Sequence, residues 1–224
     1  MSQKKQHLTV SFLFGMMGIV LCLSIALLCC IHSSALFKWA ELHYAPYQHV
    51  GLTESEAAEF AIHTIGFLNR KMNSWTPSLP FSVPQAFVAH MNEIKQAVQI
   101  TDFGVGTLLL VYMIWMYFAL FCTECFQRRF FIVGLCTAIV LLLLILLWAL
   151  IDFPGFWLIL HKYLITNGIF SASEPIMSLF PVTLFRGYLP SFFLFFLISA
   201  FLLIGLPLWL AYCILQRRNN NVLC

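Results

Sequence analysis

The apolar residues of this chain come in long blocks, not in alternation. Leu8 to Ile31, Phe103 to Thr123 and Phe130 to Ile151 are nearly continuous apolar runs, and a fourth, about 190–215, lies between Arg186 and Arg217 with no charge in between. Each meets the roughly 20 apolar residues a helix needs to cross about 30 Å of hydrocarbon. That continuity excludes a closed barrel, whose strands alternate. The pattern predicts an all-α membrane protein, a single domain over 1–224 with four transmembrane helices. Two mixed segments remain outside the spans, 32–102 and 152–187.

The first mixed segment predicts helices of its own. Thr53 and Glu56 have the spacing of a capping box, acidic residues follow in the first turn, and Arg70 and Lys71 suit the negative end of a helix dipole. A helix over about 54–70 follows, with Phe60, Ile65 and Leu68 on its apolar face. Trp75-Thr-Pro-Ser-Leu-Pro80 breaks it. Ser82-Val-Pro-Gln85 then repeats the cap logic, with Pro84 expected inside the first turn. Phe87, Met91, Ile94 and Val98 recur at helical spacing, so this helix is expected to run directly into span two. In the second mixed segment Asp152 is a cap, Pro154 prevents simple continuation of span three, and Asn167-Gly168 is a stop signal. Phe156 to Thr166 then predicts a short interfacial or re-entrant helix, with Trp157 and Tyr163 at headgroup level.

Charge sets the expected orientation. The chain is 61% hydrophobic and 9% charged, with a net charge of +3. Lys4 and Lys5, Arg128 and Arg129, and Arg217 and Arg218 all fall on one side of a four-span arrangement, which makes that side cytoplasmic. The charge is thus a topology signal and does not point to nucleic acid. A cleaved leader is a poor reading of span one, whose apolar run exceeds the usual h-region. None of the eight cysteines lies in either mixed segment, so structural disulfides are not expected there. Cys122-Thr-Glu-Cys125 has redox or metal spacing but lacks a second ligand pair nearby. A zinc site built from His43, His49 and His63 lacks ligand spacing too; those three are read as solvated loop residues. No cofactor is implied.

The chemistry then rests on His90 and His161. Histidine is the side chain whose ordinary pKa lies nearest neutrality, and ionisable groups at membrane depth are functional candidates. His90 lies beside the apolar stripe, with Glu93 one turn away and able to orient it. His161 and Lys162 are, with Tyr163, the only ionisable groups of their helix. A very short turn joins spans two and three, so the ends that carry these histidines are expected to be neighbours. No Gly-x-Ser-x-Gly elbow occurs, which argues against a covalent acyl-enzyme.

These residues carry a resemblance to a family. Gly51-Leu52-Thr53, His90-Met91-Asn92-Glu93-Ile94-Lys95, and the run from Phe156 through His161, Asn167 and Phe170 to Phe180-Pro181 and Phe185 are similar to the bacterial lipoprotein intramolecular transacylases (Lit). Two positions depart from that family's pattern: Phe87 stands where an acidic residue is expected, and Gly168-Ile-Phe170 where Asp-x-Trp is. The resemblance implies an acyl shift. The sn-2 chain of a diacylglyceryl-cysteine lipoprotein moves from its ester oxygen to the α-amine of the same molecule, giving the lyso-form, in the bacterial cytoplasmic membrane. His90 and His161 are the implied acid and base. Glu93, Lys95, Tyr163 and Asn167 are the implied supporting or substrate-binding residues. The substrate is a lipoprotein N-terminus at the outer leaflet, among membrane lipid.

Two other classes compete. A non-catalytic four-span partner or assembly protein tolerates loss of both histidines. A disulfide-generating quinone reductase needs outer cysteine pairs, which this chain lacks. The orientation has a direct test. In a cysteine-free background, Ser74→Cys is expected to react with a membrane-impermeant thiol reagent in intact cells, whereas Cys224 restored alone is not. Labelling of Cys224 reverses the orientation.

Overall fold

The structure, a computed structural model, describes residues 3–121, 127–164, 173–210 and 212–213, and among these every regular element is helical. Its α-helices are α1 (Gln3–His32), α2 (Ser34–Tyr44), α3 (Glu54–Leu68), α4 (Gln85–Phe121), α5 (Arg128–Ile151), α6 (Phe153–Leu164), α7 (Val182–Gly187) and α8 (Leu189–Ala200). Four stretches are long and apolar enough to cross a membrane: His7–His32, Gln85–Ala119, Arg128–Ile151 and Leu189–Leu210. They match the four predicted spans. The second extends back to Gln85, so the helix carrying His90 does run unbroken into span two. At 37 residues α4 is about 55 Å long, well beyond one hydrocarbon thickness.

The chain divides into two compact units, Met1–Ala26 with Phe103–Ile145 and Leu194–Cys224, and Leu27–Asp102 with Leu146–Phe193. In the first, α1 and α5 meet through glycines. A Cβ on Gly15 would strike the Phe131 carbonyl, and one on Gly134 would strike the Phe12 carbonyl. Small residues permit this approach where lipid supplies no hydrophobic drive for helix association. The Ser199 hydroxyl donates to the Cys22 carbonyl at 3.2 Å. After α8 the helix widens to π geometry over Phe201–Gly205, and Leu206 N–H reaches back five residues to the Phe201 carbonyl. Pro207, which has no N–H to offer, follows at once.

The second unit is built on aromatic packing. Ser33 caps α2 by accepting from Leu36 N–H at 3.2 Å. The predicted capping box is present on α3: Thr53 N–H donates to Glu56 Oε2 at 2.8 Å and Glu56 N–H to Thr53 Oγ1 at 3.3 Å. The far end of α3 is a Schellman motif, with Arg70 N–H on the Phe67 carbonyl and Lys71 N–H on the Gly66 carbonyl. Arg70 takes the left-handed position, φ 63°, that glycine usually fills. The second cap falls later than predicted. Pro84 precedes the first turn of α4, and its carbonyl accepts from Phe87 and Val88. Asp152 does cap α6, accepting from Gly155 N–H at 2.9 Å.

The predicted break at Trp75 is also the centre of a core. Trp75 is fully buried, donates to Thr64 Oγ1 at 3.2 Å, and has ring contacts with Phe60, Phe87 and Phe180. Two helices, α2 and α7, were not legible in the apolar pattern. They pack together at Gly187, where a Cβ would collide with the Tyr44 ring, and Thr183 donates to the Tyr44 carbonyl at 3.1 Å.

Trp75→Ala is expected to lower unfolding stability by about 3–5 kcal/mol, the usual loss for a buried large aromatic, whereas Ile62→Ala on the exposed face of α3 is expected to change it by less than about 0.5 kcal/mol. Chemical denaturation in detergent compares the two.

Candidate functional site

His90 is buried, 5% exposed, on the face of α4 that joins the aromatic core. Phe87 lies almost one turn earlier, its ring centroid 5.8 Å from the imidazole. Phe87 in turn meets Trp75 at 5.4 Å and Phe180 at 5.5 Å. The residue that departs from the family's acidic position is thus a wall of the histidine's apolar surroundings. Glu93 is half-buried on the same helix. Lys95 is committed locally: its ammonium donates to the Met72 carbonyl at 2.7 Å and lies 4.2 Å from the centre of the Phe67 ring. That ties the segment after α3 to α4.

His161 lies on α6, and its side chain is outside the described part of the structure; Asn167 lies outside the described residues. Tyr163 is 80% exposed on the same helix. Trp157, one turn before His161, stacks on Phe185 of α7 at 4.2 Å. The segment from Leu179 to Gly187 therefore touches both histidine-bearing helices. Phe180 at its start meets Phe87, and Phe185 near its end meets Trp157. Both helix segments belong to the second compact unit. The three other histidines considered are placed elsewhere. His43 is exposed on α2 rather than in a loop, bonded to the Trp39 carbonyl at 2.8 Å. His49 is exposed on a 3-10 turn, and His63 lies half-buried on α3. Burial lowers the His63 pKa, with Glu59 opposing.

Two features of this unit escaped the sequence reading. The first is Glu41 on α2, fully buried, with neither carboxyl oxygen hydrogen-bonded among the described residues. Burial pushes its pKa up to about 9, so the group is a neutral acid at pH 7. Its signal in the sequence was faint: Phe37, Ala40 and Glu41 share one buried face of a short helix. The second is an open cleft of about 520 Å³ lined by His32, Leu68, Asn69, Arg70, Lys71 and Asp102. His32 Nε2 lies 2.8 Å from Asp102 Oδ1, and Arg70 donates to Asp102 Oδ2 at 3.3 Å. His32 Nδ1 meets the Asn69 side-chain oxygen. His32 and Asp102 are the residues at which the first apolar run ends and just before the second begins. That boundary was the only signal that 70 residues of separation could close.

The sequence profile described as lipoprotein intramolecular transacylase Lit matches residues 12–185. No curated protein sequence matches the chain significantly. Two solved structures share its fold, both of the membrane integral lipoprotein intramolecular transacylase Lit from Bacillus cereus. One, carrying a single histidine-to-arginine mutation, is 16% identical, with a TM-score of 0.66 over 97% of this chain and 96% of that one. The other is 15% identical, with a TM-score of 0.67 over 96% and 99%.

Burial of Glu41 has a sign for stability. Its folded pKa, about 9, lies above the ordinary value of 4.5, so between those values the folded protein holds a proton that the unfolded chain has lost. Stability contributed by this group is therefore full below about pH 4.5 and falls as pH rises toward 9. Thermal unfolding in detergent from pH 5 to 9 is expected to show the wild type losing stability relative to Glu41→Gln. Parallel curves refute a buried neutral acid.

Proposed function

The chain belongs to the lipoprotein intramolecular transacylase family, a family of membrane acyltransferases, and we propose that it moves the sn-2 acyl chain of a diacylglyceryl-cysteine lipoprotein from its glycerol oxygen to the α-amine of the same cysteine. The product is the lyso-form lipoprotein. His90 and His161 serve as the acid–base pair. The whole chain acts as one membrane domain in the bacterial cytoplasmic membrane, with both termini in the cytoplasm and the reaction at the outer leaflet.

The reading rests most on one observation: the segment from Leu179 to Gly187 meets Phe87, which neighbours His90, and Trp157, one turn before His161 on α6. Those surroundings suit the reaction. An imidazole, whose ordinary pKa lies nearest neutrality, can take a proton from the attacking amine. The second imidazole delivers a proton to the departing glycerol oxygen. Amine and ester are carried by one molecule, so correct placement alone contributes up to about 7–11 kcal/mol in ideal intramolecular cases. Aromatic walls exclude the water that would hydrolyse the ester instead. Glu93, one turn after His90, is the orienting partner in this reading. Lys95 contributes by holding Met72 against α4, Tyr163 marks the lipid-facing side of α6, and Asn167 is a candidate donor to the oxyanion.

His90→Ala and His161→Ala are each expected to lower lyso-form production by about 10²–10⁴-fold, the usual worth of acid–base assistance. Accumulation in the membrane should stay near wild type, and His43→Ala and His49→Ala should remain active. Mass spectrometry of a lipoprotein N-terminal peptide reads the result. A substrate labelled in its sn-2 chain, mixed with excess unlabelled phospholipid, is expected to give product of unchanged mass that keeps all its label. Diluted label points to intermolecular transfer, a trapped acyl-protein to a nucleophile on the enzyme, and free fatty acid to hydrolysis. Full activity of both histidine variants sinks the acid–base assignment.

A further inference from the structure

The reaction just proposed leaves a proton unaccounted for. An α-amine has an ordinary pKa of about 7.7–8.0, so it arrives mostly as an ammonium with three N–H protons. The amide keeps one. The glycerol hydroxyl takes a second through the histidines. The third needs another acceptor, placed where an ammonium can be held away from water.

Glu41 meets that description. Its side chain is fully buried and its two carboxyl oxygens have no hydrogen-bond partner among the described residues. Buried carboxyls in folded proteins are nearly always bonded, so one without a partner among the described residues is a candidate to bond a ligand. It sits in the second compact unit, which also contains His90. Phe37, one turn before Glu41 on α2, contacts the Phe180 ring at 6.2 Å, and Phe180 contacts Phe87 beside His90 at 5.5 Å. One ring thus joins the face of α2 that bears the acid to the face of α4 that bears the histidine. Phe37 also contacts Tyr188 at 6.4 Å. The Tyr188 phenol is pushed up by burial and further by the nearby acidic groups Cys30 and Glu41. Aromatic faces beside a carboxylate are a setting that favours a bound ammonium.

We propose that Glu41 binds the α-ammonium of the lipoprotein substrate and takes up the proton that the acyl shift releases. This assignment rests on the transacylase reading above. In the free protein Glu41 is neutral. The incoming ammonium stabilises the carboxylate, so binding expels one proton to solvent and leaves a carboxylate–ammonium pair. The nitrogen–acyl bond then forms and the glycerol oxygen–acyl bond breaks. Of the three ammonium protons, one returns to Glu41, one passes through the histidines to the glycerol oxygen, and one stays on the amide. Charge and protons balance, and Glu41 ends as the neutral acid with which it began.

The test uses full-length protein in detergent, a synthetic diacylglyceryl-cysteine peptide with a free α-amine for turnover, and for binding its diether counterpart, whose chains cannot shift, beside a diether analogue with hydrogen in place of that amine. The wild type is expected to bind the free-amine diether roughly 10–100-fold more tightly than the amine-free diether, the usual worth of a hydrogen bond to a charged group. Glu41→Gln, which keeps shape and burial, is expected to lose most of that preference and to turn over about 10²–10⁴-fold more slowly. Calorimetry in buffers of different ionisation enthalpy is expected to show about one proton released when unaltered protein binds the free-amine diether peptide at pH 7, where no acyl shift can release one, and none with the amine-free diether. The proton measurement requires no variant, so misfolding of Glu41→Gln does not obscure the answer. Equal proton counts for the two diethers, or a folded Glu41→Gln protein with wild-type turnover, overturn the assignment of Glu41 alone. A wild type that leaves the diacylglyceryl-cysteine peptide unconverted overturns the transacylase reading and this assignment together.

Discussion

A peptide group inside hydrocarbon has no water to bond, so each must find its partner within its own segment. The rest of this structure depends on that constraint. It makes the apolar blocks helices and lets irregular backbone accumulate where the chain is more polar. The exception within the fourth span conforms to it. Around Pro207, which cannot donate, the helix does not open; it widens so that Leu206 N–H still finds the Phe201 carbonyl. Because lipid is as apolar as the helix surfaces, contact between spans must come from shape and from polar pairs. Gly15 and Gly134 allow the backbones of α1 and α5 to approach, and Ser199 bonds the Cys22 carbonyl.

The second unit follows a different physics. Its core is aromatic and holds Trp75, Phe60, Phe87, Phe37 and Phe180 within ring contact of one another through a few shared neighbours. Such a core is rigid and of low polarity. Low polarity raises the cost of any charge placed in it, which is why Glu41 is held as a neutral acid. The same property that stabilises the unit therefore pushes its buried carboxyl far above the ordinary range. Structure and chemistry share a cause here.

Several elements were legible in the chain alone. The four spans, the capping box at Thr53 and Glu56, the α6 cap at Asp152 and the unbroken passage from His90 into span two all rest on local rules, each acting over a few residues or one helix. The helices α2 and α7 were not legible, because neither carries a periodic apolar face long enough to announce itself. They pack on each other at Gly187 and Tyr44, which lie 143 positions apart in the chain. The break at Trp75 was read as punctuation, and its role as a core residue depends on partners at Thr64, Phe87 and Phe180.

The sequence by itself determined that this is a four-span helical membrane protein whose ionisable residues are few, with His90 and His161 on helices flanking neighbouring spans. Hydrophobicity and helix periodicity are properties of contiguous residues, so contiguous residues suffice to read them. Only the tertiary structure decided what surrounds those groups. It put Phe87 between His90 and the aromatic core, committed Lys95 to Met72, closed His32 onto Asp102, and buried Glu41 without a hydrogen-bond partner among the described residues. A side chain's charge state depends on its distance from water and from other charges, and both are set by residues far away in the chain.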